Sequence, residues 1–391
     1  MDAQPDSTQV PTDVSLVRGG PFHRLQQALG LLGPNRWNLT RRIIFFIAIS
    51  WLPLFLLTVL FHPEGLLPLM RDYRVYSRLL LAIPALLVGE PLMEGRFRTV
   101  IGHIRRAGLL DSSELVRVDT IIARLVRVGD YVLPELVVLL LLITHSLTSY
   151  RGLIDTSPWL SHRSGGELYL TAAGWYAVVI SSSIFQFLLG LALWRWLLWG
   201  FLAFKLSKSD LNLVATHPDQ HGGLGFLGLT SAAFAPIAFS ATAVVASTWR
   251  NDILHHGAHL MDFKLQGIAL ILLIAVIALG PLAFFIPRLA ALRRQGILEY
   301  GILGQIQSKE FHDKWISRRA GLEPEFLTAP ESSTLADYGN ACERINDMSP
   351  LLVDKGSLYT LAAAIAIPAL PMVLAQIPLA VVLSDLLKAL R

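Results

Sequence analysis

The chain predicts an all-α polytopic bundle, with about seven helices crossing a membrane and six to eight compatible with the pattern. Three observations predict it. Hydrophobic residues fill 53% of the 391 positions and charged residues only 16%, with a mean hydropathy of +0.52. Seven apolar stretches follow one another: Ile43 to Phe61, Val75 to Gly89, Tyr131 to Thr148, Ala172 to Phe204, Leu224 to Ser247, Leu265 to Ile286 and Leu358 to Ser384. Most reach the roughly 20 residues that an α-helix needs to cross about 30 Å of hydrocarbon. Lys and Arg gather in alternate connections, and with the N-terminus inside, 23 of the 33 fall on inside segments. That bias predicts a cytoplasmic N-terminus, an outside C-terminus and seven crossings.

Taken in order, residues 1–42 form a polar, proline-bearing cytoplasmic segment. It has no apolar core bounded by a small-residue cleavage site, so the first span is expected to do the targeting. Residues 43–286 hold the first six spans. The second stretch is interrupted by Pro84, and a re-entrant loop is its alternative; a crossing keeps the arginines from Arg96 to Arg127 inside. After it, Asp111-Ser-Ser-Glu114 has capping-box spacing and starts a helix near 112–128. Leu115, Val118, Ile122 and Leu125 share one side of that helix, while Arg117, Arg124 and Arg127 lie elsewhere. Such a helix rests in the membrane surface or packs on the bundle.

The fourth stretch exceeds one perpendicular span, and Trp194, Trp196 and Trp199 read as an interfacial belt at its cytoplasmic end. Residues 287–357 form a helical cytoplasmic appendage: a continuation from Arg288 to Gln307, a loop at Pro324 to Pro330, and a helix from Ser332 to Met348 capped by Ser332 or Ser333. Residues 358–391 carry the last span. Its prolines Pro368, Pro371 and Pro378, together with Gln376, make it the best candidate for a broken helix. Ala, Ser, Thr and Gly crowd the fifth span, which therefore packs closely on a neighbour or lines water.

The net charge of +4 suits cytoplasmic loops held against anionic headgroups, and no nucleic acid is expected. Cys342 is the one cysteine, which excludes an intramolecular disulfide and Cys-rich metal patterns. No cofactor signature is present. Membrane lipids, an ion or small-anion substrate and a second copy of the chain are the expected partners.

The most distinctive string is His217-Pro-Asp-Gln-His-Gly-Gly-Leu-Gly-Phe-Leu-Gly228. Gly222, Gly223 and Gly225 let backbone N–H groups converge before a helix, an arrangement that holds an anion or phosphate. His217, Asp219 and His221 have the donor types for a divalent metal. The plain alternative is a turn capped by Asp219. His255-His-Gly-Ala-His259, with Asp252 and Asp262, places two histidines on one helical face but lacks the glutamate of HExxH. Ionisable groups at membrane depth are costly and point to function; Glu90, Glu94, Glu135, His145 and Arg195 are the candidates. Glu90 and Glu94 form interfacial salt bridges or pair with Arg195, which otherwise snorkels to the surface.

The His217 to Gly228 string and the later Ser333-Thr-Leu-Ala-Asp-Tyr-Gly-Asn340, with Glu343 and Met348, resemble a group of bacterial inner-membrane proteins with no established activity. The resemblance implies a bacterial membrane setting and no catalytic residues. With broken helices, buried polar groups and no complete catalytic signature, the chain is expected to be a channel or transporter for an ion or small solute. Its path would run by the His217 to Gly228 loop and the fifth and seventh spans. The rivals are a membrane-embedded enzyme acting on lipid or phosphate groups and a sensor or scaffold presenting residues 287–357 to a cytoplasmic partner.

Overall fold

A computed structural model describes residues 15–33, 36–153, 159–164, 167–317 and 330–376. The loop expected at 324–330, all but its last residue, and the end of the last stretch with Pro378 lie outside the described residues, as does the side chain of His145. Helix α1 (Gly20–Ala28) precedes α2 (Leu39–Phe61), and α3 (Tyr73–Arg106) is one continuous helix. Then come α4 (Ser112–Gly129), α5 (Val132–Leu153), a hairpin of β1 (Ser161–Ser164) and β2 (Glu167–Leu170), and α6 (Ala172–Ser207). The chain continues through α7 (Gly225–His255), α8 (Leu260–Ala283), α9 (Ile286–Phe311), α10 (Pro330–Asn346) and α11 (Lys355–Val373).

Six helices, α2, α3, α6, α7, α8 and α11, are long and apolar enough to cross a membrane among the described residues. The protein is an all-α membrane bundle. The remaining stretch of the expected seven is α5, which is helical over 22 residues but whose qualifying apolar part runs only over Val132–Leu142.

The helices run between two faces. On the first, the hairpin face, Trp159 Nε1 donates to Asp72 at 3.1 Å, and Arg250 lies 3.6 Å from the Tyr73 ring centroid. The second, the basic face, carries α4, α9 and α10. There Asn212 donates to Asp111 at 3.0 Å, and Ser349 N donates to Gln220 O at 3.0 Å.

Helix α3 stays continuous through Pro84 because the preceding turn, Ser77–Ala82, widens into a π-helix. The extra residue in that turn accommodates a helix position with no N–H. Ser240 Oγ of α7 donates to the Ala82 carbonyl at 3.0 Å. Close approach explains the small residues where α7 meets its neighbours: a Cβ on Gly89 of α3 would stand 3.0 Å from Pro236 of α7, and one on Gly228 of α7 would stand 3.1 Å from Asp354 N. Its first ten residues, Gly225–Phe234, form a 3₁₀ helix before Pro236 opens the α-helical part. A 3₁₀ run of that length is uncommon.

Helix α11 continues through Pro368 and Pro371 to Val373 without a break, while Pro378 lies outside the described residues. Gln376 bonds the α7–α8 connection, accepting from Leu260 N at 2.8 Å and donating to Ala258 O at 3.1 Å. Helix α4 packs on the bundle through buried Val118, Ile122 and Leu125. Each such side chain contributes about 1.5–3 kcal/mol on full burial. Its capping box does not form, because Asp111 accepts from Asn212 and Glu114 turns to Arg117 at 3.2 Å. Trp199 is no interfacial residue: it is 1% exposed and stacks on Phe97 with centroids 4.7 Å apart. Helix α10 begins at Pro330, two residues before the expected cap, because proline suits a first helical position that needs no N–H partner.

Candidate functional site

Three groups of polar residues carry the chemistry. The first is a buried charge cluster. Glu90 is 4% exposed, and its carboxylate accepts from Arg195 Nη1 at 2.8 Å and from Arg42 Nη2 of α2. Arg42 has no exposure at all, donates through Nε to Gln26 of α1 at 2.7 Å, and leaves Nη1 without a hydrogen-bond partner. One turn along α3, Glu94 accepts from Ser15 Oγ at 2.5 Å and from Arg98 at 2.6 Å. Arg195 is therefore an interior partner of Glu90 and does not snorkel, while Glu94 forms the more exposed pair.

Helix α1 closes this cluster on the basic face. Its orphan N–H groups are met by carboxylates of the α4–α5 corner: Gly20 N donates to Asp130 at 3.0 Å and Phe22 N donates to Glu135 at 2.9 Å. Negative charge at a helix N-terminus is favourable. Between residues 15–19, Glu135 and Arg195 remains a cavity of about 20 Å³, enough for one water. Burial pushes the His23 ring below its ordinary 6.5; Glu90 opposes that shift, whereas Arg195, Arg42 and Arg18 add to it.

The second group is the His217 to Gly228 loop. Gln220, Gly222 and Gly223 all have positive φ, and N–H groups of the loop converge as expected, but on the loop's own carboxylate. Asp219 accepts from His221 N at 2.8 Å, Gly223 N at 3.1 Å and Gly225 N at 2.8 Å, with His217 Nδ1 also 2.8 Å away. The position an anion would take is filled by Asp219, which gives the capped turn. Burial raises the Asp219 carboxyl, yet the three N–H donors and His217 outweigh it and hold it below 3.8.

His221 reaches Leu351 O at 3.2 Å, and a Cβ on Gly222 would lie 2.9 Å from Leu292. The loop thus joins residues 287–357 to the bundle. Among the described residues no three His, Cys, Asp or Glu side chains group as a metal site. His255 is exposed, His256 meets Asp252 at 3.2 Å, and His259 caps the short turn before α8 with Asp262.

The third group was not singled out from the sequence. A cleft of about 150 Å³ opens at the hairpin face between α2, α3 and α6, with apolar walls from Leu54, Leu79 and Trp159. Arg78 projects into it, donating to Ser182 Oγ at 2.6 Å and leaving Nε without a partner. Asp72 holds Arg74 in a bidentate pair at 3.0 and 2.8 Å beside it. At the floor, Ser181 Oγ donates to Ser50 O at 2.5 Å, and the Ser50 hydroxyl has no partner of its own.

No protein-family model, curated protein or solved structure matches the chain. Below the cleft, Phe46, Leu86, Phe185 and Leu188 are buried in the core, and below them lies the Glu90 cluster. Arg78 and Glu90 are twelve positions apart on α3, about 18 Å along the axis.

Proposed function

We propose that the protein is a transporter for a small anion, with Arg78 as its first binding group. The hairpin-face cleft carries the reading: a guanidinium with an unpartnered, buried Nε stands among apolar walls and two serine hydroxyls. Buried polar atoms without partners are rare unless water or a ligand completes them. The mixed lining suits a short-chain carboxylate, whose charge would meet Arg78 and whose hydrocarbon would meet Leu54 and Trp159.

The deeper cluster supports the same reading. One Glu90 carboxylate shared by two arginines leaves an excess of positive charge on the same three helices, behind an apolar plug. This placement replaces the path expected along the His217 to Gly228 loop, where Asp219 occupies the anion position. The bias of Lys and Arg supports a basic face toward the cytoplasm, so the cleft would open outward. The loop's resemblance supports a bacterial inner membrane.

Flux into proteoliposomes under inward gradients of chloride, nitrate and acetate tests the proposal. Wild type is expected to carry acetate, with Arg78→Gln slowed about tenfold or more, the scale of one lost charge-assisted hydrogen bond. Absence of flux under every gradient, or unchanged flux in Arg78→Gln, would refute it.

A further inference from the structure

Where α6 and α8 meet α4 near the basic face, the bundle has a second opening that no helix among the described residues covers. It is an apolar groove of about 730 Å³, within the range of binding pockets for small ligands. Trp194, Phe201 and Phe204 of α6, Pro281 of α8 with Phe284 just after it, and Leu125 of α4 line it. Gly200 and Gly280 make its depth: a Cβ on Gly200 would meet nothing nearer than Pro281 at 3.9 Å, and one on Gly280 nothing nearer than Val276 at 3.8 Å. Both helices are long and apolar enough to cross a membrane, so the groove faces hydrocarbon.

Four cations lie next to the residues that line the groove. Lys205 stands 5.3 Å from the Phe201 ring centroid and Lys208 stands 5.9 Å from that of Phe204. Arg124 and Arg127 flank Leu125 and Val128 on α4, and all four cations are exposed. Among the described residues none of the four has a carboxylate within ion-pair distance. Elsewhere on this face Arg105 pairs with Asp119 at 2.7 Å and Arg288 with Asp210 at 3.3 Å.

We infer that the groove is a binding site for an anionic phospholipid of the surrounding bilayer. Its acyl chains lie against Trp194, Phe201, Phe204 and Phe284, and its phosphate meets Lys205, Lys208, Arg124 and Arg127. Charge complementarity selects this occupant, since basic side chains at a membrane surface attract anionic headgroups. A second copy of the chain is disfavoured because each copy would bring four cations to the same contact. The inference does not depend on the transport reading, because the groove lies away from the hairpin-face cleft.

Tryptophan quenching by brominated lipids tests it, since bromine on an acyl chain quenches only indoles it touches. The protein is placed in nanodiscs of phosphatidylethanolamine containing equal small fractions of either dibrominated phosphatidylglycerol or dibrominated phosphatidylcholine. Wild type should be quenched more strongly by the anionic lipid, with a relative affinity of about fivefold or more, the contribution of one basic side chain at such a surface. Replacing all four cations by glutamine should bring the ratio to about one. Gly200→Leu should fill the groove and reduce quenching by both lipids, and Trp194→Phe combined with Trp196→Phe should remove most of the difference between the two lipids. Equal quenching of wild type by the two lipids, a preference retained in the fourfold variant, or a dimer that shields Trp194 from both lipids would overturn the inference.

Discussion

Replacing Glu90 by glutamine removes the counter-charge from two guanidinium groups that the bundle has taken out of solvent. Arg42 is fully buried and Arg195 is 8% exposed. Breaking a buried ion pair from one side costs about 3–5 kcal/mol, because the remaining charge stays desolvated without compensation. Glu94 offers the control. Its partner Arg98 has a side chain 43% exposed, so water takes over much of the lost interaction, and Glu94→Gln should cost about 1 kcal/mol.

Equilibrium unfolding in mixed micelles, followed by circular dichroism, measures both. The double variant Glu90→Gln with Arg195→Gln should be more stable than Glu90→Gln alone, since one uncompensated charge is gone; their coupling is the quantity of interest. Equal, small losses for Glu90→Gln and Glu94→Gln would refute the reasoning. So would a double variant that simply adds the two single effects.

Asp219→Ala should destabilise the joint between the bundle and residues 287–357 by about 2–3 kcal/mol, the scale of hydrogen bonds to a charged group, as read by proteolysis of that segment. The sign of its pH dependence follows from a carboxyl held low: the contribution is complete above about 3.8 and is lost as pH falls through the depressed folded value. Wild type should therefore show an acid limb that the variant lacks. Gly223→Ala, at φ +95, should cost about 1–2 kcal/mol at neutral pH, measured in the same unfolding experiment. The His23 ring is held below 6.5, so the unfolded segment takes up its proton first as pH falls. Docking of α1 should weaken below that value, giving faster exchange of its amide hydrogens at about pH 5 than at about pH 7.5 after correction for intrinsic rates.

Hydrophobic stretches near 20 residues long made the spans legible, because burial of that much apolar surface leaves few alternatives to a membrane. Glu90, Glu94 and Arg195 were legible as costly charges at membrane depth, and the pairing of Arg195 with Glu90 was one of two readings open to them. Arg42, Gln26 and Ser15 were not, since they precede the first apolar stretch and nothing local ties a polar N-terminal segment to a residue on α3. Arg78 was hidden for a related reason. At the edge of an apolar run it reads as an outside charge, and only the packing of α2, α3 and α6 closes a cleft around it.

The glycines of the His217 to Gly228 loop did announce converging N–H groups. What the residue order could not tell is which carboxylate they converge on, because that depends on the positive φ of Gln220, Gly222 and Gly223 and on the side-chain direction of Asp219. Pro368 and Pro371 do not stop α11, which packs along α7; Arg250 donates to the Pro371 carbonyl at 3.2 Å. Trp199 misled because tryptophan prefers both interfaces and cores, and stacking on Phe97 decides between them.

The most direct measurement asks whether solute and water pass between α2, α3 and α6. In a Cys342→Ser background, Ser50→Cys lies under the cleft floor and Leu188→Cys lies in the apolar plug, with Thr248→Cys at the mouth as a reference. Labelling by an anionic methanethiosulfonate in proteoliposomes should proceed at all three positions and slow at the inner two when acetate is present. Labelling of Thr248→Cys alone, with the inner two inert under every gradient, would contradict a route from Arg78 to Glu90.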